Sequence, residues 1–242
     1  MLSVAIITVT SGRKELDQSL QAIDDQTYPV HNYVMTDGIV SYEEYWEMVK
    51  KYRGPNRDVG YWPGRVNKKT AHGNAGGEKL FSAIPNLITE DITIISTDDD
   101  WYKPNHVESM INLIQSKGLD WAYCLRSIYS KEGIFLFDDN CESLGEHPIY
   151  TGAPGFAEGG SIAARTEVMC AAYQAYNLSV WGVDRHAYWA LRKNFPKFLG
   201  TGLHTNCFRL GGNPNSVSRE FFERGNAVMR LKYPEKFPWH LD

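Results

Sequence analysis

The chain has 242 residues, with 25 Lys+Arg against 29 Asp+Glu and a formal net charge of −4. Hydrophobic residues make up 43% and charged residues 22%, a balance that excludes a disordered chain, collagen or a disulfide miniprotein and supports a sizeable core. No apolar run approaches the roughly 20 residues of a membrane helix, and mild acidity disfavours a nucleic-acid coat, although a local basic groove would be hidden in the sum.

Residues 3–9 are a continuous β-branched run, as expected of a strand covered on both faces. Ser11-Gly12 breaks it, and Leu16, Leu20 and Ile23 then recur at helical spacing over residues 13–25. Thr27-Tyr28-Pro29 closes that helix. Residues 33–35 predict a short strand stopped by Asp37-Gly38, residues 42–51 a helix, and residues 59–62 a third strand turned by Pro63-Gly64. This rhythm predicts a three-layer α/β fold, Rossmann-like, with a mostly parallel central sheet and helices on both faces.

Residues 64–78 are polar and Gly-rich, and 79–87 read as helix. The strand over 91–96 runs straight into Thr97-Asp98-Asp99-Asp100-Trp101. Pro104 marks a helix start, with Val107, Met110, Ile111 and Ile114 on one face. Residues 121–128 and 134–137 predict two strands paired across Lys131-Glu132-Gly133. Residues 138–160 read as loop, 161–164 as strand, 166–176 as helix, and about 183–193 as the last helix; the tail from Gly211 is polar and Pro-rich and yields no element. With no repeat or linker in view, residues 1–242 read as a single domain. Cys124, Cys141, Cys170 and Cys207 form no CxxC pair and no His pair has zinc spacing. No signal peptide is read at the N-terminus, so a cytoplasmic, reduced protein is expected.

Three consecutive carboxylates at the mouth of a buried strand carry the most information. Ligands of open α/β sheets bind beyond the carboxyl ends of the strands. Three acids packed there repel one another at a cost that grows as the local dielectric falls, and a divalent cation removes that cost. Mg²⁺ or Mn²⁺ would take one or two carboxylates and complete its shell with substrate phosphates. The plainer alternative is a solvated acidic turn that caps the next helix.

The ordered set Ile6-Ile7-Thr8-Val9-Thr10, Leu16 to Ile23, Gln26-Thr27-Tyr28-Pro29 and Thr36-Asp37-Gly38 resembles the opening of the family 2 glycosyltransferases, which have the glycosyltransferase A fold. Ile94 to Glu108 resembles that family's acidic "DxD" strand end with its Trp, Pro and helix. The resemblance implies a metal-dependent, inverting transferase that moves a sugar from a nucleoside diphosphate sugar to a hydroxyl acceptor on a saccharide, lipid carrier, protein or modified DNA base. It divides the chain into a nucleotide-binding half, 1–116, and an acceptor half with the tail, 117–242. It places the donor nucleotide on Thr8, Thr10, Arg13, Asp37, Asn74, Gly76, Asp98 and Arg209. It places Mn²⁺ or Mg²⁺ on Asp99 and Asp100, with Asp98 and Asp100 the alternative register and His204 completing the shell, and makes Asp184 the catalytic base, with His186 the weaker alternative. Trp101, Tyr102 and Trp181 become candidate sugar platforms, and the Gly-rich stretch 150–160 a loop near donor and acceptor. Two departures stand out: Thr97 and Val183 occupy positions where the family commonly has acids, and the family's late His falls at Gly211. Two rivals stay open, a nucleotidyltransferase of the same fold and a non-catalytic nucleotide- or sugar-binding domain.

Overall fold

The computed structural model describes residues 1–38, 40–63, 79–178, 182–211 and 217–240. Nine strands of these residues form one sheet: β1 (Val4–Thr10), β2 (His31–Thr36), β3 (Arg57–Gly60), β4 (Ile92–Thr97), β5 (Trp101–Tyr102), β6 (Trp121–Tyr129), β7 (Phe135–Asp138), β8 (Ile162–Arg165) and β9 (Phe198–Arg209). The order is β3-β2-β1-β4-β8-β6-β9-β5, with β7 paired to β6 off that path. The pairings of β1 with β2 and β4, of β2 with β3, and of β6 with β9 are parallel, and β8 joins β4 to β6 in antiparallel register. Thus β1, β2, β3, β4, β6 and β9 all point the same way.

Among the described residues seven helices flank the sheet: α1 (Leu16–Asp24), α2 (Tyr42–Tyr52), α3 (Leu80–Ala83), α4 (His106–Lys117), α5 (Thr166–Ala172), α6 (Val183–Asn194) and α7 (Arg219–Lys232). Strand alternation splits the core into two layers. Ile6, Ile92 and Ile94 pack with Leu16, Leu20 and Ile23 of α1, Met48 of α2 and Val107 to Ile114 of α4. Ile7 and Ile95 face the other way, where α3, α5, α6 and α7 bury Phe81, Met169, Tyr188 and Phe222 against Trp121 and Tyr123. The layered α/β fold expected from the sequence is therefore present.

Local differences have local causes. The helix expected over 79–87 is one α-helical turn followed by a 3₁₀ turn, Ile84–Asn86, whose Pro85 lacks the donor an α-helix needs. The helix expected over 166–176 passes into a 3₁₀ turn, Tyr173–Asn177, after Ala172. Residues 198–209, left without an element in the sequence, form the 12-residue β9. The unread tail holds the 14-residue α7, so the helix over 183–193 is not the last. Ser218 starts α7 by accepting the Phe221 N–H at 3.3 Å, and its buried face is Phe222, Gly225, Asn226 and Met229. No described helix is long and apolar enough to cross a membrane, and all four cysteines are free thiols.

Candidate active site

The carboxyl ends of β1, β2 and β4 lie side by side, since Thr10 pairs with Thr36 and Val9 with Thr97. The loops that leave them carry Ser11–Arg13, Asp37 and Asp98–Asp100. Asp98 is 5% exposed and holds the turn after β1: Thr10 Oγ1 and the Ser11 N–H each donate to it at 2.8 Å. Burial pushes its proton affinity up, offset by Arg13 and those two donors. Arg13 pairs with Asp99, with its Nε 3.7 Å from Asp98. A guanidinium therefore sits on the two carboxylates that the sequence assigned to different partners.

Asp100 is held from the far side. The Arg209 N–H donates to it at 2.8 Å and Thr97 Oγ1 approaches at 3.4 Å. Burial, then the charges of Asp99 and Glu158, raise its proton affinity well above the ordinary carboxylate range. Arg209 spends its guanidinium on protein oxygens: the Asp99 carbonyl at 3.0 Å, the Lys131 carbonyl at 2.8 Å and Gln18 Oε1. It also lies 4.8 Å over the Trp101 ring. Expected to meet diphosphate, Arg209 instead clamps the acidic loop onto β9.

The donor set fits a hard divalent cation. Asp99, whose side chain is 20% exposed, and Asp100 offer only oxygen ligands. Among the described residues no group of three or more His, Cys, Asp or Glu side chains is arranged to hold a metal, so phosphate oxygens would have to complete the shell, as Mg²⁺ and Mn²⁺ usually require. His204 is not brought to this place. It sits on β9 paired with Leu125 of β6, five residues and about 17 Å along the strand from Arg209, where its charged neighbours are Asp138, Asp139 and Lys103.

Other expected residues fall variously. Thr8 is fully buried inside the sheet and donates to Asn32 Oδ1 at 3.0 Å, so it does not reach the mouth. Thr10 does reach it. Asp37 is buried at the end of β2, its N–H donating to the Thr10 carbonyl at 2.6 Å. Asn74, Gly76 and Trp181 lie outside the described residues. Tyr102 is not a platform: it is buried, stacked on His106 with ring centroids 3.9 Å apart, and donates to the Ile95 carbonyl. His186 is exposed and leans on Trp189.

Because β8 runs antiparallel to β4, the 3₁₀ turn Gly159–Ser161 that precedes it lies at the same edge as the acids. Glu158 caps that turn, accepting the Gly160 N–H at 2.9 Å and Asn206 Nδ2 at 2.8 Å. A side chain at Gly159 would come within 2.8 Å of Ile95 Cδ1, which is why the turn can lie this close to β4. Asp184 opens α6 after Gly182, whose φ of +73° favours glycine. Its Oδ1 accepts the Arg185 N–H at 2.9 Å. Burial raises the proton affinity of Asp184, countered by Arg185 and Arg126; burial raises that of Glu158 as well. Glu158 couples electrostatically to Asp100 on one side and to Asp184 on the other. Three carboxylates thus share one field along the rim.

The sequence reading did not single out Glu158, nor Arg126, Asp139, Glu142 and Arg185, which form a buried ionic chain behind Asp184. One signal was available: an Arg inside the run WAYCLRSIY must find acids if that strand is buried.

The chain matches Glycosyl transferase family 2 over residues 3–177. Residues 1–349 of S. aureus TarS superpose on all of this chain with a TM-score of 0.61 and 14% identity, this chain covering 67% of that one. The same TarS fragment in complex with UDP-GlcNAc gives a TM-score of 0.60 at 13% identity and 68% coverage, and in complex with UDP 0.61 at 15% and 67%. No curated protein matches the chain in sequence.

Proposed function

The chain belongs to glycosyl transferase family 2, and from that premise we propose that it transfers a sugar, with inversion, from a nucleoside diphosphate sugar to a hydroxyl acceptor. One observation carries the reading: Asp99 and Asp100 stand at the end of β4, Asp184 at the start of α6, and Glu158 links their fields. UDP-GlcNAc, bound by the structurally similar TarS, is the first donor to try.

The rim residues divide the work. Thr10, Arg13 and Asp37, at the ends of β1 and β2, would border the nucleotide. Asp99 and Asp100 would hold Mn²⁺ or Mg²⁺. When bound, that ion supplies Lewis-acid stabilisation of the departing diphosphate. Asp98 keeps the Ser11–Arg13 turn in place, and Arg13 adds a forked cation within reach of phosphate. Asp184 takes the proton of the acceptor hydroxyl, a task helped by a proton affinity raised through burial. Helix α6 orients that carboxylate, and the acceptor must lie between it and the anomeric carbon. We treat residues 1–242 as one domain, a reading supported by the continuous sheet, in which β8 of the second half pairs with β4 of the first.

The test is a thermal-shift screen of nucleoside diphosphate sugars with Mn²⁺, since a ligand that binds only the native state raises the melting temperature. It is followed by NMR assignment of the product anomer from the donor that binds. Absence of any nucleoside diphosphate binding defeats the proposal, and a retained anomeric configuration defeats its inverting form.

A further inference from the structure

Behind Asp184 lies a line of alternating charge that the transfer chemistry does not itself require. Asp139, fully buried, accepts the backbone N–H groups of Cys141, Glu142 and Ser143 at 2.9–3.0 Å and Arg126 Nε at 2.8 Å. Arg126 Nη2 bonds Glu142 Oε2. The other Glu142 oxygen accepts Arg185 Nη2 at 2.8 Å. Arg185 is flattened on the Phe156 ring at 4.2 Å, and Arg126 on Phe208 at 4.6 Å. The line crosses from β6 through the 139–145 loop to the first turn of α6. Asp139 is held by backbone N–H groups, Arg126 and Arg185 by ring faces, and Glu142 by the two guanidinium groups between which it lies, and the four charges sum to zero. A neutral, satisfied line of this kind is rigid, because letting go of one member strands its partner in a dry interior.

The geometry points to a specific use, and we propose that Glu142 and Arg185 are positioning residues for Asp184. Together they act as a strut that sets where the first turn of α6, and so the Asp184 carboxylate, stands against the acceptor. The inference rests on the reading of Asp184 as the base. α6 has no side-chain cap at its start, and the bonds of its first turn, from the Arg185 N–H to Asp184 Oδ1 and from the Arg185 and His186 N–H groups to the Gly182 carbonyl, are internal to that turn, so they shape it without fixing where it stands against the rest of the site. The charged and titratable groups that face Asp184 are Arg185 on its own helix, Arg126 from β6, Glu158 from the turn before β8, and Tyr173 from the 3₁₀ turn after α5. Arg185 therefore gives both position and positive charge, whereas Glu142 gives position alone.

That difference makes the proposal testable against a merely structural role. In Arg185→Met the charge is lost, Asp184 holds its proton more tightly, and the acid limb of the kcat profile moves to higher pH while kcat falls about tenfold or more, as misplaced catalytic groups do. In Glu142→Gln the cation stays but its anchor goes, so kcat falls by a similar factor with no upward move of the limb. Arg185→Lys restores the limb but only part of kcat, since an ammonium cannot reproduce the planar fork on Phe156. Because Glu142→Gln leaves a buried guanidinium half-paired, the double variant Glu142→Gln/Arg185→Met serves as the folding control: its kcat loss should be well below the product of the single losses. UDP affinity by calorimetry stays within twofold in all four. A parallel fall in UDP affinity and kcat at every pH, with the limb unmoved in Arg185→Met, overturns the proposal and leaves Asp184 as base. Full activity in Asp184→Asn overturns both.

Discussion

β4 and β6 both run to the ligand edge of the sheet, yet they arrive by different means. β4 is Ile92-Thr93-Ile94-Ile95-Ser96-Thr97, buried along its length with only isoleucines and uncharged hydroxyls, and it meets charge only where it stops. β6 carries Arg126 in its interior, 3% exposed, with Ser127 and the buried Asn206 of β9 alongside. In the first region apolar burial makes the frame and the acids sit on its rim. In the second the frame itself is partly ionic. A partly exposed rim acid such as Asp99 can lose its charge with little loosening of what carries it, whereas a buried ion pair cannot be opened from one side without cost. Substitutions at the end of β4 should therefore act on ligand binding, and substitutions around β6 on the geometry of reaction.

The sharpest way to break this contrast is at its two ends. Asp184→Asn should lower kcat by a factor of about 10²–10⁴, the usual contribution of a general base, while leaving Mn²⁺–nucleotide affinity in place by calorimetry. Asp99→Asn should do the reverse, weakening that affinity first. If both variants fail in the same measurement, the two regions are not separable.

Packing should be costly in either region. Trp121 is fully buried at the base of β6, stacked on Phe198 with centroids 4.1 Å apart, its indole N–H donating to the Phe195 carbonyl at 2.8 Å. Trp121→Ala should cost about 3–5 kcal/mol, against about 2–5 for Ile94→Ala in β4, both read from chemical denaturation. Losses under 1 kcal/mol would mean the core lies elsewhere.

This contrast also explains what the sequence disclosed. β1 and β4 were legible because strands covered on both faces read as β-branched runs, β2 by its short Tyr33-Val34-Met35 core before Asp37-Gly38, and the acids because they follow the β4 run directly. β9 was not. Its 12 residues include Gly200, Gly202, His204, Thr205 and Asn206, with no alternation to read, and it is a strand because β6 and β5 give it partners. α7 was hidden by the polar stretch before it. In the site, Asp98 to Asp100 were found together, but which oxygen faces a ligand depended on Arg209, 109 residues away from Asp100 in sequence. Glu142 and Arg185 went unread for the same reason: a buried ion pair is a property of tertiary contact, and each of the two by itself looks like surface, while Arg126 within its apolar run signals a buried charge without naming the partners.

A smaller effect should appear in the pH dependence of stability. Folded Asp100, Glu158 and Asp184 all bind protons more tightly than ordinary carboxylates, chiefly through burial. A raised acid favours the folded state once protonated, so these groups cost stability at neutral pH and the cost fades as pH drops through their raised range. Asp139 works in the opposite sense: burial is outweighed by Arg126 and the backbone donors, its proton affinity is lowered, and its contribution is lost only at more acidic pH. Asp100→Asn should accordingly melt a few degrees above the parent at pH 8, about 2–4 °C per kcal/mol at this chain length, with the gap closing toward pH 5. A variant that melts lower at pH 8 would show that the Arg209 bond outweighs burial.

The smallest expected effects compare two helix caps. Ser41 begins α2 in a capping box, its Oγ accepting the Glu44 N–H at 3.2 Å while Glu44 Oε2 accepts the Ser41 N–H at 2.8 Å. Ser218 begins α7 with a single such bond. Each Ser→Ala change should cost about 1 kcal/mol. Their reach should differ. α2 packs on the aliphatic layer through Met48, so Ser41→Ala should leave kcat unchanged. α7 carries Phe222, whose ring lies 5.3 Å from the Arg126 guanidinium, so a loosened first turn removes a wall of the ionic line. Ser218→Ala should then lower kcat two- to threefold, an effect of about 0.5 kcal/mol, at unchanged UDP affinity. Equal kcat in the two variants would confine the ionic region to β6 and its loop, and leave α7 as cover only.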